Sequence, residues 1–598
     1  MNKALRTKEY SCDFCVIGGG LAGAFAALSA ARHGAKVVLM QDRPVLGGNA
    51  SSEIRMCVRG AKGKFDRESG LLSEMEERNI HHNPTLVHSL RDAVLYDMLR
   101  ENENIEMLLN TSCMDVEMEG NKIRSVTGWQ LTTYTFVTVR ADYFADCSGD
   151  SILAPMTGAE FRKGRESKAE FGESLAQEEA DEKTMGMSLL VCAAETDQPV
   201  PFTPPAFANC YPTDECFSSS IGENANTLKR GHRIATTGDN LWWVELGGDG
   251  DSIHDTDKLQ HELLSCIYGV WDHIKNQDDH GMENWELEWV GALPGKRESR
   301  RYMGDHILTE HEVVSGGHFE DEVAYGGWPL DDHNPMGMRQ NSEYNAPSLM
   351  IHLKEAYGIP LRSLYSRNIE NLYFAGRNIS ATHAALSSTR VMATCALLGQ
   401  AAGTAASLAV KYGCTPHEVW EKHTGEVQKT LMEDGAFLPH IRRCSSEMAH
   451  AAQMNVTEEE RLRLLQGFER PRQEGEICGI VQKPGESLCL SWEKEQEIGV
   501  LRLKFDPDFS RLSISPNEYM RRFAQKIHTG KDFVPVKTAN TIVKAFAVYA
   551  DGREIYRTEN NFYSLVKIPL NIRAKELRVE WQATHGAEEV HLYSVDLI

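Results

Sequence analysis

The fold of this chain is decided by one stretch near its start, Phe14-Cys15-Val16-Ile17-Gly18-Gly19-Gly20-Leu21-Ala22-Gly23. The stretch begins as an apolar strand, turns on glycines and opens a helix. Gly18, Gly20 and Gly23 have the spacing G-x-G-x-x-G. In that pattern the first glycine allows a tight turn, the second lets backbone N–H groups approach a diphosphate, and the third lets the helix pack close to the strand. The stretch therefore predicts a turn that binds a dinucleotide.

The residues that follow complete a βαβ unit. Small and apolar residues over 24–31 predict a helix that ends near Gly34, and residues 36–40 predict a second strand. The first N–H groups of the helix, from Leu21 and Ala22 onward, have no partner within the helix, so they suit a diphosphate. The alternative is a tight strand-to-helix turn without a ligand, but the complete unit favours a dinucleotide site.

The end of the second strand departs from the usual pattern. An acid that binds ribose commonly stands at this position, but this chain has Gln41 followed by Asp42. The amide of Gln41 can hydrogen-bond ribose hydroxyls, and Asp42 can instead face solvent. The sequence leaves open which of the two contacts the ribose.

Length and composition limit the class of protein. The chain has 598 residues, which predicts two to four domains, and its hydrophobic content of 41% and charged content of 25% are ordinary for a globular protein. A net charge of −23 argues against nucleic acid and anionic membranes as partners. We find no apolar run of membrane-spanning length and no apolar signal-peptide core in the first ten residues, so we expect a cytoplasmic protein. The 14 cysteines are scattered, and Cys12 and Cys15 are expected to pack in the first strand rather than form a redox pair.

The segment after the second strand makes the chain resemble a known family. It reads Arg43-Pro44-Val45-Leu46-Gly47-Gly48-Asn49, and a similar R-P-x-L-G-G-N segment follows the dinucleotide motif in the FAD-dependent oxidoreductases of the FAD_oxidored family. That family is related to the flavoprotein subunits of heterodisulfide and fumarate reductases. The resemblance implies a non-covalent FAD cofactor lined by Arg43, Gly47, Gly48 and Asn49.

The resemblance also implies an α/β fold. It consists of a Rossmann-like FAD-binding domain of the glutathione-reductase type with an inserted α+β substrate domain. Two later segments are similar to family segments that approach the flavin, and they contain Ser148, Gly149, Asp150, Gly376, Arg377 and Asn378. For the first of them the alternative is an ordinary turn at the end of a strand. A small-residue helix follows the second over residues 391–406, with Gly399 and Gly403 allowing close packing.

A basic segment is the first candidate for substrate binding. Residues 294–301 read Pro-Gly-Lys-Arg-Glu-Ser-Arg-Arg, and the family carries a similar P-G-x-R-E-S-R-R segment. The alternative is a solvated basic turn. Because arginine presents a rigid fork of donors, we predict that Arg297 and Arg300 bind an anionic or carbonyl group of the substrate.

Two histidines are candidates for acid–base chemistry. Residues 328–335 place Asp331, Asp332 and His333 between prolines, which predicts a substrate-binding loop; a metal site there lacks a second spaced cluster of ligands. His383 lies in a predicted loop between two segments that the resemblance places at the flavin. The alternative is an ordinary hydrogen-bonded histidine. We predict His383 as the first choice for a catalytic base and His333 as the second, because imidazole titrates near neutral pH.

The domain organisation follows from these segments and from composition. We predict a FAD-binding domain over 1–154 and 346–413, a substrate domain over 155–345, a helical linker over 414–470 and a C-terminal β-sandwich over 471–598. The substrate domain includes a strand-like piece at 241–245 and a long helix over 251–275. Seven or more short strands with a hairpin at Asp551-Gly552 predict the sandwich. It is similar to small carbohydrate-binding modules, although a structural or oligomerising role is preferred.

These features predict an oxidoreductase that transfers a hydride between a small molecule and the N5 atom of FAD. The β-rich C-terminal region favours a carbohydrate or polyol-like alcohol. One alternative is an enone or fumarate-type reductase, and another is a non-catalytic flavin-bearing binding protein. The sequence identifies neither the substrate nor the electron acceptor, and it leaves open whether the chain forms a homo-oligomer.

Overall fold

The computed structural model describes residues 5–213, 216, 244–277, 280–339, 348–526 and 533–598. These residues fall into two compact units. The first unit contains Met1–Lys62, Val87–Val427 and Gln525–Phe533, and the second contains Gly63–Leu86, Gln428–Ala524 and Val534–Ile598. The predicted domain boundary between residues 345 and 346, and the first three residues of the strand predicted over 241–245, lie outside the described residues.

The first unit is built on a mixed sheet with a parallel part of Rossmann type. Its strands lie in the spatial order Ile105–Leu108, Val37–Met40, Arg6–Ile17, Thr135–Asp146, Lys122–Gln130 and Thr111–Glu119. The first four are parallel to one another, and the last two continue the sheet as an antiparallel meander from Thr135–Asp146. Leu372–Phe374 pairs in parallel with the carboxyl end of Thr135–Asp146. The chain therefore leaves this sheet and returns to it, and the predicted α/β class is confirmed.

Two helices of small residues pack against each other beside this sheet. Leu21–Arg32 is buried along almost its whole length, and Met392–Tyr412 is buried up to its last turn. A Cβ on Gly399 would lie 2.0 Å from the carbonyl oxygen of Ala22, and one on Gly403 would lie 2.2 Å from that of Ala26. Met392–Tyr412 is long and apolar enough to cross a membrane, so the expectation that no apolar run reaches membrane-spanning length is wrong. However, 94% of the apolar window of this helix is buried inside the protein.

The other described helices of the first unit range from single turns to a long amphipathic helix. They are His88–Arg100, Leu153–Thr157, Lys168–Phe171, Thr256–Asn276, Glu310–Val314, His383–Thr389 and the first part of Pro416–Glu433. Thr256–Asn276 corresponds to the long helix predicted over 251–275 and buries Leu263, Ile267 and Trp271 in a local core.

Short strands form small sheets in the part of the chain between Thr135–Asp146 and Leu372–Phe374, which both belong to the main sheet. They are Phe161–Arg162, Met187–Ser188, Val191–Glu195, Glu245–Leu246, Trp285–Val290, Gly295–Lys296, Arg301–Tyr302, Glu322–Gly326, Leu330–His333, Ser348–Ile351 and Tyr357–Pro360. Leu330–His333 pairs with Ser348–Ile351. The prediction of a loop over 328–335 is therefore wrong for its central residues, because these form an antiparallel strand.

The second unit is dominated by antiparallel strands. Its helices are Leu71–His82, Glu447–Ala451, Glu458–Leu465 and Glu518–Phe523, and its strands are Gln453–Met454, Ile480–Gln482, Ser487–Phe505, Val543–Ala550, Arg553–Thr558, Leu565–Thr584 and Val590–Leu597. Hydrogen bonds join these strands into one sheet. The predicted hairpin is present, with positive φ values of 47° at Asp551 and 80° at Gly552. The arrangement of the strands as a β-sandwich stays a prediction.

The segment 63–86 groups with this second unit, although the sequence predicts it within the region 1–154. Its helix Leu71–His82 is held there by a buried acid, Glu76, and a partly buried one, Glu77. Glu76 pairs with Arg511 at 2.6 Å, and Glu77 accepts a hydrogen bond from the backbone N–H of Ser564 at 3.0 Å. These partners are far away in sequence, so local patterns could not indicate the grouping.

Candidate active site

The glycine turn between the first strand and the first helix is shaped by close backbone contacts. Gly18 has φ +99°, and a Cβ on it would lie 2.5 Å from the backbone of Cys147. A Cβ on Gly23 would lie 1.7 Å from the carbonyl oxygen of Gly18. A Cβ on Gly20, in contrast, would meet only the Cα of Gly48 within 4 Å among the described residues, at 3.9 Å. Gly18 and Gly23 therefore serve the fold, and the space at Gly20 is open to a ligand.

The helix that starts at this turn presents its N-terminus without a side-chain cap. Gly20 is its N-cap residue and offers no side-chain acceptor, and the first turn contains no acidic residue. The N–H groups at Leu21 and Ala22 belong to the first turn, where intrahelical partners are lacking. This arrangement suits the phosphates of a dinucleotide.

A second glycine turn lies directly against the first. The N–H of Gly47 donates to the carbonyl oxygen of Gly19 at 2.8 Å. Gly47 and Gly48 have φ values of +105° and +56°, and a Cβ on Gly48 would lie 3.1 Å from the Cα of Gly20. Two side-chain-free turns thus meet, as expected for a cradle around a flat or phosphorylated ligand.

Gln41 and Asp42 differ sharply in their surroundings. Gln41 is buried, and its Oε1 accepts a hydrogen bond from the N–H of Gly19 at 2.6 Å. Its Nε2 donates to the carbonyl oxygen of Val45 at 3.3 Å. The side chain of Asp42 is 58% exposed and lies 4.0 Å from the Nε of Arg43. Gln41 therefore connects the two glycine turns, and a ribose contact by either residue stays a prediction.

Four of the residues near the predicted cofactor position meet in one group, which we call the cofactor cluster: Asn49, Asp150, Lys296 and Arg377. The carboxylate of Asp150 lies 2.9 Å from the Nζ of Lys296 and 2.7 Å from Nη2 of Arg377. The carbonyl oxygen of Lys296 accepts from the Nδ2 of Asn49 at 3.0 Å. Burial opposes ionisation of Asp150, but Arg377 and Lys296 outweigh burial and lower its pKa to about 2.

Ser148 and Gly149 support this cluster from the preceding turn. The Oγ of Ser148 donates to the buried carboxylate of Asp146 at 2.6 Å. Gly149 has φ +78°, and a Cβ on it would lie 2.7 Å from the guanidinium of Arg377. Gly149 therefore lets Arg377 reach Asp150.

Several buried polar atoms around these turns have no hydrogen-bond partner among the described residues. They are Nη1 of Arg43, Oγ of Ser51, Oε2 of Glu53, Nε of Arg377 and Oδ1 of Asn378. Such atoms are rare in folded proteins because each costs the desolvation of a polar group. They lie in the segments that also contain Gly47, Gly48 and Gly376, so the residues present fit the polar groups of a bound dinucleotide.

A group that we call the His333 cluster contains Glu245, Arg297, Asp331, His333 and Arg390. The Nδ1 of His333 lies 2.7 Å from Oε2 of Glu245, which also lies 3.3 Å from Nη2 of Arg297. The Nε2 of His333 lies 3.5 Å from Oδ2 of Asp331, which is long for a hydrogen bond. Nη2 of Arg390 donates to the carbonyl oxygen of Asp331 at 3.0 Å.

The charges of this cluster set its protonation. Burial and Arg297 oppose protonation of His333, but Glu245 and Asp331 outweigh them and raise its pKa. Burial opposes ionisation of Glu245, whereas Arg297 and His333 lower its pKa. Glu245 is therefore a carboxylate at neutral pH.

A second group, the His383 cluster, contains Glu166, Glu298, Arg301, Asp332 and His383. The imidazole of His383 lies between two carboxylates, with Nδ1 2.9 Å from Glu298 and Nε2 3.0 Å from Asp332. Arg301 pairs with Glu298 and with Glu166. Burial alone would lower the pKa of His383, but Glu298 and Asp332 outweigh burial and raise it to about 10. His383 is therefore an imidazolium at neutral pH.

The local structure around His383 differs from the predicted loop. His383 is the first residue of the helix His383–Thr389, and the Oγ1 of Thr382 caps that helix by accepting from the N–H of Ala385 at 3.2 Å. The N–H of His383 donates to Glu166 at 2.8 Å. The prediction of a loop is wrong here, because the Thr382 cap starts a separate short helix before the helix that is predicted from residue 391.

The basic segment supplies three arginines with three different surroundings. Arg297 joins the His333 cluster and also donates to the Oγ of Ser188 at 2.9 Å. Arg300 lies over the ring of Phe161, 5.5 Å from its centroid. Arg301, which sequence reasoning missed, is fully buried and donates to the carbonyl oxygens of Gly164 and Ala381. Substrate binding by Arg297 and Arg300 stays a prediction.

Sequence reasoning also missed three of the carboxylates that contact the two histidines, namely Glu245, Glu298 and Glu166. Glu298 lies within the basic segment. Its position between cations was the signal in the sequence that could have indicated its role. Glu245 and Glu166 stand in segments without a motif, so only the fold reveals them. Groups of three or more side chains suited to a metal ion are absent from the described residues.

Comparison with known families identifies the class of this protein. The profile of FAD dependent oxidoreductases matches residues 13–431. This span is well over half of the chain, so the chain belongs to that family, and the resemblance predicted from Arg43–Asn49 is confirmed. Its cofactor is FAD, and it is an enzyme of flavin redox chemistry. The non-catalytic alternative is therefore set aside. Curated protein sequences give no match to the chain.

Solved structures give only distant likenesses. A geranylgeranyl bacteriochlorophyll reductase-like protein from Thermoplasma acidophilum is 12% identical with a TM-score of 0.29, covering 71% of this chain and 86% of that chain. E. coli quinol fumarate reductase FrdA is 11% identical with a TM-score of 0.27, covering 71% and 75%. A glycerol-3-phosphate dehydrogenase from Bacillus halodurans complexed with FAD is 15% identical with a TM-score of 0.20, covering 33% and 43%. These likenesses assign neither a substrate nor a residue role.

Proposed function

We propose that this chain oxidises a small hydroxyl-bearing molecule of carbohydrate or polyol type by transferring a hydride to FAD. One observation carries the proposal: Lys296, which contacts Asn49 and Asp150 in the cofactor cluster, immediately precedes Arg297 of the His333 cluster. A substrate at the His333 cluster would therefore lie beside the flavin. Bound FAD supplies the hydride acceptor, which is N5 of its ring system.

His333 is the better candidate for the group that takes the hydroxyl proton. Among the described residues, the contact of its Nε2 is the long 3.5 Å approach to Asp331, so a substrate hydroxyl can replace that contact. Both nitrogens of His383 are instead held at 3.0 Å or less. We therefore propose His333 as the base. We propose His383 as a positioning residue that keeps a fixed positive charge in the His383 cluster. In this arrangement the substrate carbon loses a hydride while its hydroxyl proton passes to Nε2 of His333.

Arg297 is proposed to orient the substrate. It is held between Glu245 and Ser188, so its guanidinium fork keeps one direction. Arg300 has no comparable anchoring among the described residues, since its guanidinium packs on Phe161. The finer layout of the fold belongs to the same proposal: a glutathione-reductase-type arrangement for the first unit and a β-sandwich for the second.

A reductase acting on an enone or a fumarate-type substrate is the second candidate. The raised pKa values of His333 and His383 favour it, because a raised pKa increases the fraction of each imidazole that holds a proton and can serve a reaction that consumes one. In this direction bound FAD would supply the hydride, and an external electron donor, which the structure does not identify, would restore its reduced form.

Anaerobic spectroscopy separates the two candidates. The FAD-loaded protein is mixed with a panel of sugars, polyols and hydroxy acids, and loss of the visible absorbance of oxidised flavin is followed. Alcohol oxidation predicts bleaching by at least one neutral polyol or sugar. Bleaching by none of these alcohols, together with reoxidation of chemically reduced enzyme by enones or fumarate, would overturn the proposal in favour of the reductase.

A further inference from the structure

Two atoms in the His333 cluster stand out because they are buried and have no hydrogen-bond partner among the described residues. They are Oε1 of Glu245 and Nε of Arg390. Glu245 is 6% exposed, so water from the surface reaches it poorly. Buried polar atoms are normally paired, and an unpaired acceptor and an unpaired donor in one cluster indicate a missing ligand.

The remaining atoms of both side chains are held in place. Oε2 of Glu245 is fixed by His333 at 2.7 Å and by Arg297 at 3.3 Å. Nη2 of Arg390 donates to the carbonyl oxygen of Asp331 at 3.0 Å. The two residues also interact electrostatically: burial lowers the pKa of Arg390, and the nearby Asp331 and Glu245 oppose this lowering. Each side chain therefore presents one free polar atom while its other end cannot turn away.

The chemistry of these two atoms selects among ligands. A hydroxyl both donates and accepts, so it can donate to Oε1 of Glu245 and accept from Nε of Arg390. A carboxylate only accepts, and it would face the negative charge of Glu245. Because Arg297 and His333 keep Glu245 ionised, that repulsion persists at neutral pH.

We propose that Glu245 and Arg390 determine specificity by binding a neutral hydroxyl group of the substrate and excluding a carboxylate from the same position. This rests on the proposed function, in which the substrate occupies the His333 cluster. The pair attracts a hydroxyl group and repels a carboxylate, and specific sites commonly combine these two effects. Arg297 and Arg390 would otherwise favour anions, so Glu245 is the residue that sets the preference.

The test uses matched pairs of substrates with the same carbon chain: glycerol with glycerate, and glucitol with gluconate. The FAD-loaded parent and its variants are mixed anaerobically with each compound, and the rate of flavin bleaching and the dissociation constant from flavin absorbance are measured. The parent should prefer the neutral member of each pair by about tenfold or more. Glu245→Gln keeps the size of the side chain but removes its charge, and it should lower this preference by a similar factor.

Asp331→Asn is the matched control. It removes one negative charge from the same cluster, but neither oxygen of Asp331 is among the buried atoms of the described residues without a hydrogen-bond partner, and its Oδ2 accepts from the Nε1 of Trp328 at 3.4 Å. The rate of flavin bleaching can change in Asp331→Asn, but the preference for the neutral over the acidic member of each pair should not. If Glu245→Gln fails to bind FAD, Arg390→Lys replaces it, since lysine keeps the charge but loses the Nε donor. The expected result is weaker binding of the neutral member.

Three results would overturn the proposal. They are a parent that prefers the acids, an equal change of preference in Glu245→Gln and Asp331→Asn, and unchanged binding of the neutral member in Arg390→Lys. Each of these still includes bleaching by an alcohol, so the proposed function survives. Bleaching by neither member of any pair, nor by any compound of the wider panel, is the different result that overturns the proposed function itself.

Discussion

Asp331 and Asp332 are consecutive residues of one short strand, yet they hold different histidines. Oδ2 of Asp331 lies 3.5 Å from Nε2 of His333, and Oδ1 of Asp332 lies 3.0 Å from Nε2 of His383. Successive side chains of a strand point to opposite faces. The strand Leu330–His333 therefore separates the His333 cluster from the His383 cluster and fixes the position of both.

The open space at Gly20 leads to a prediction about cofactor binding. Gly20→Val should fold but lose FAD, because a Cβ at this position comes no closer than 3.9 Å to the described residues and the side chain would enter the expected phosphate position. Gly23→Ala should instead destabilise the protein, since its Cβ would lie 1.7 Å from the carbonyl oxygen of Gly18. Flavin content and melting temperature of the purified variants distinguish the two. A yellow Gly20→Val protein with the parent's FAD affinity would contradict the assignment.

The contrast between Gln41 and Asp42 predicts unequal effects. Gln41→Ala removes the acceptor for the N–H of Gly19 and should lower both thermal stability and FAD affinity. Losing a buried hydrogen bond typically costs about 1–3 kcal/mol. Asp42→Ala should change thermal stability little because its side chain is mostly exposed. Equilibrium titration with FAD tests whether Gln41 or Asp42 contacts the ribose. A tenfold loss of affinity in Asp42→Ala alone would mean that Asp42, rather than Gln41, contacts the cofactor.

His383 should make thermal stability depend on pH in a defined direction. Its pKa is about 10 in the folded protein and 6.5 for an unperturbed histidine. A raised folded-state pKa contributes stability that is fully present below the unfolded value and is lost as pH rises through the folded value. The difference in melting temperature between the parent and His383→Gln should therefore be largest near pH 6 and shrink towards pH 10.

His417→Gln provides the control for this measurement. His417 also pairs with an acid, Asp305, at 2.7 Å, but its side chain is 56% exposed. Exposed ion pairs contribute little to stability, so the variant should stay close to the parent at every pH. A difference for His383→Gln that grows with rising pH would mean that His383 is neutral in the folded protein.

The arginines of the basic segment should differ in their effect on the substrate. Arg297→Lys should raise the substrate concentration needed for half-maximal flavin reduction, because lysine cannot keep contact with Glu245 and Ser188 together. Arg300→Lys should leave that concentration nearly unchanged, since Arg300 packs on Phe161. Anaerobic stopped-flow measurements give these values. Equal increases of that concentration in the two variants would indicate that both arginines bind substrate.

The sequence was most informative where structure is local. The glycine turn, the helix after it and the parallel strands were predictable because G-x-G-x-x-G spacing and apolar runs report on neighbouring residues. The limits of the strands were harder to predict. Apolar runs at 487–492 and 498–505 predict two strands, but the structure has a single strand, Ser487–Phe505. Register shifts between Ser491 and Gln496 let this strand continue through polar residues that otherwise suggest a turn.

The candidate site was predictable only in part because its members are far apart in the chain. His333 and Asp331 are neighbours, and the sequence suggested that an acid orients the imidazole. The acids that hold His383 are 51 and 85 residues away, at Asp332 and Glu298. No periodicity reports on such contacts; they depend on how the strand Leu330–His333 and the segment 294–301 meet the helix His383–Thr389.

The reductive half-reaction of the FAD-loaded enzyme tests the central claim, that His333 takes the proton while hydride leaves the substrate, most directly. Flavin reduction by an alcohol from the panel should accelerate with pH as His333 loses its proton, with a midpoint above 6.5 because its pKa is raised. His333→Gln should slow reduction by about 10²–10⁴ and lose this pH dependence, while His383→Gln keeps it. Loss of the pH dependence in His383→Gln, with a parent-like rate in His333→Gln, would contradict the account and identify His383 as the base.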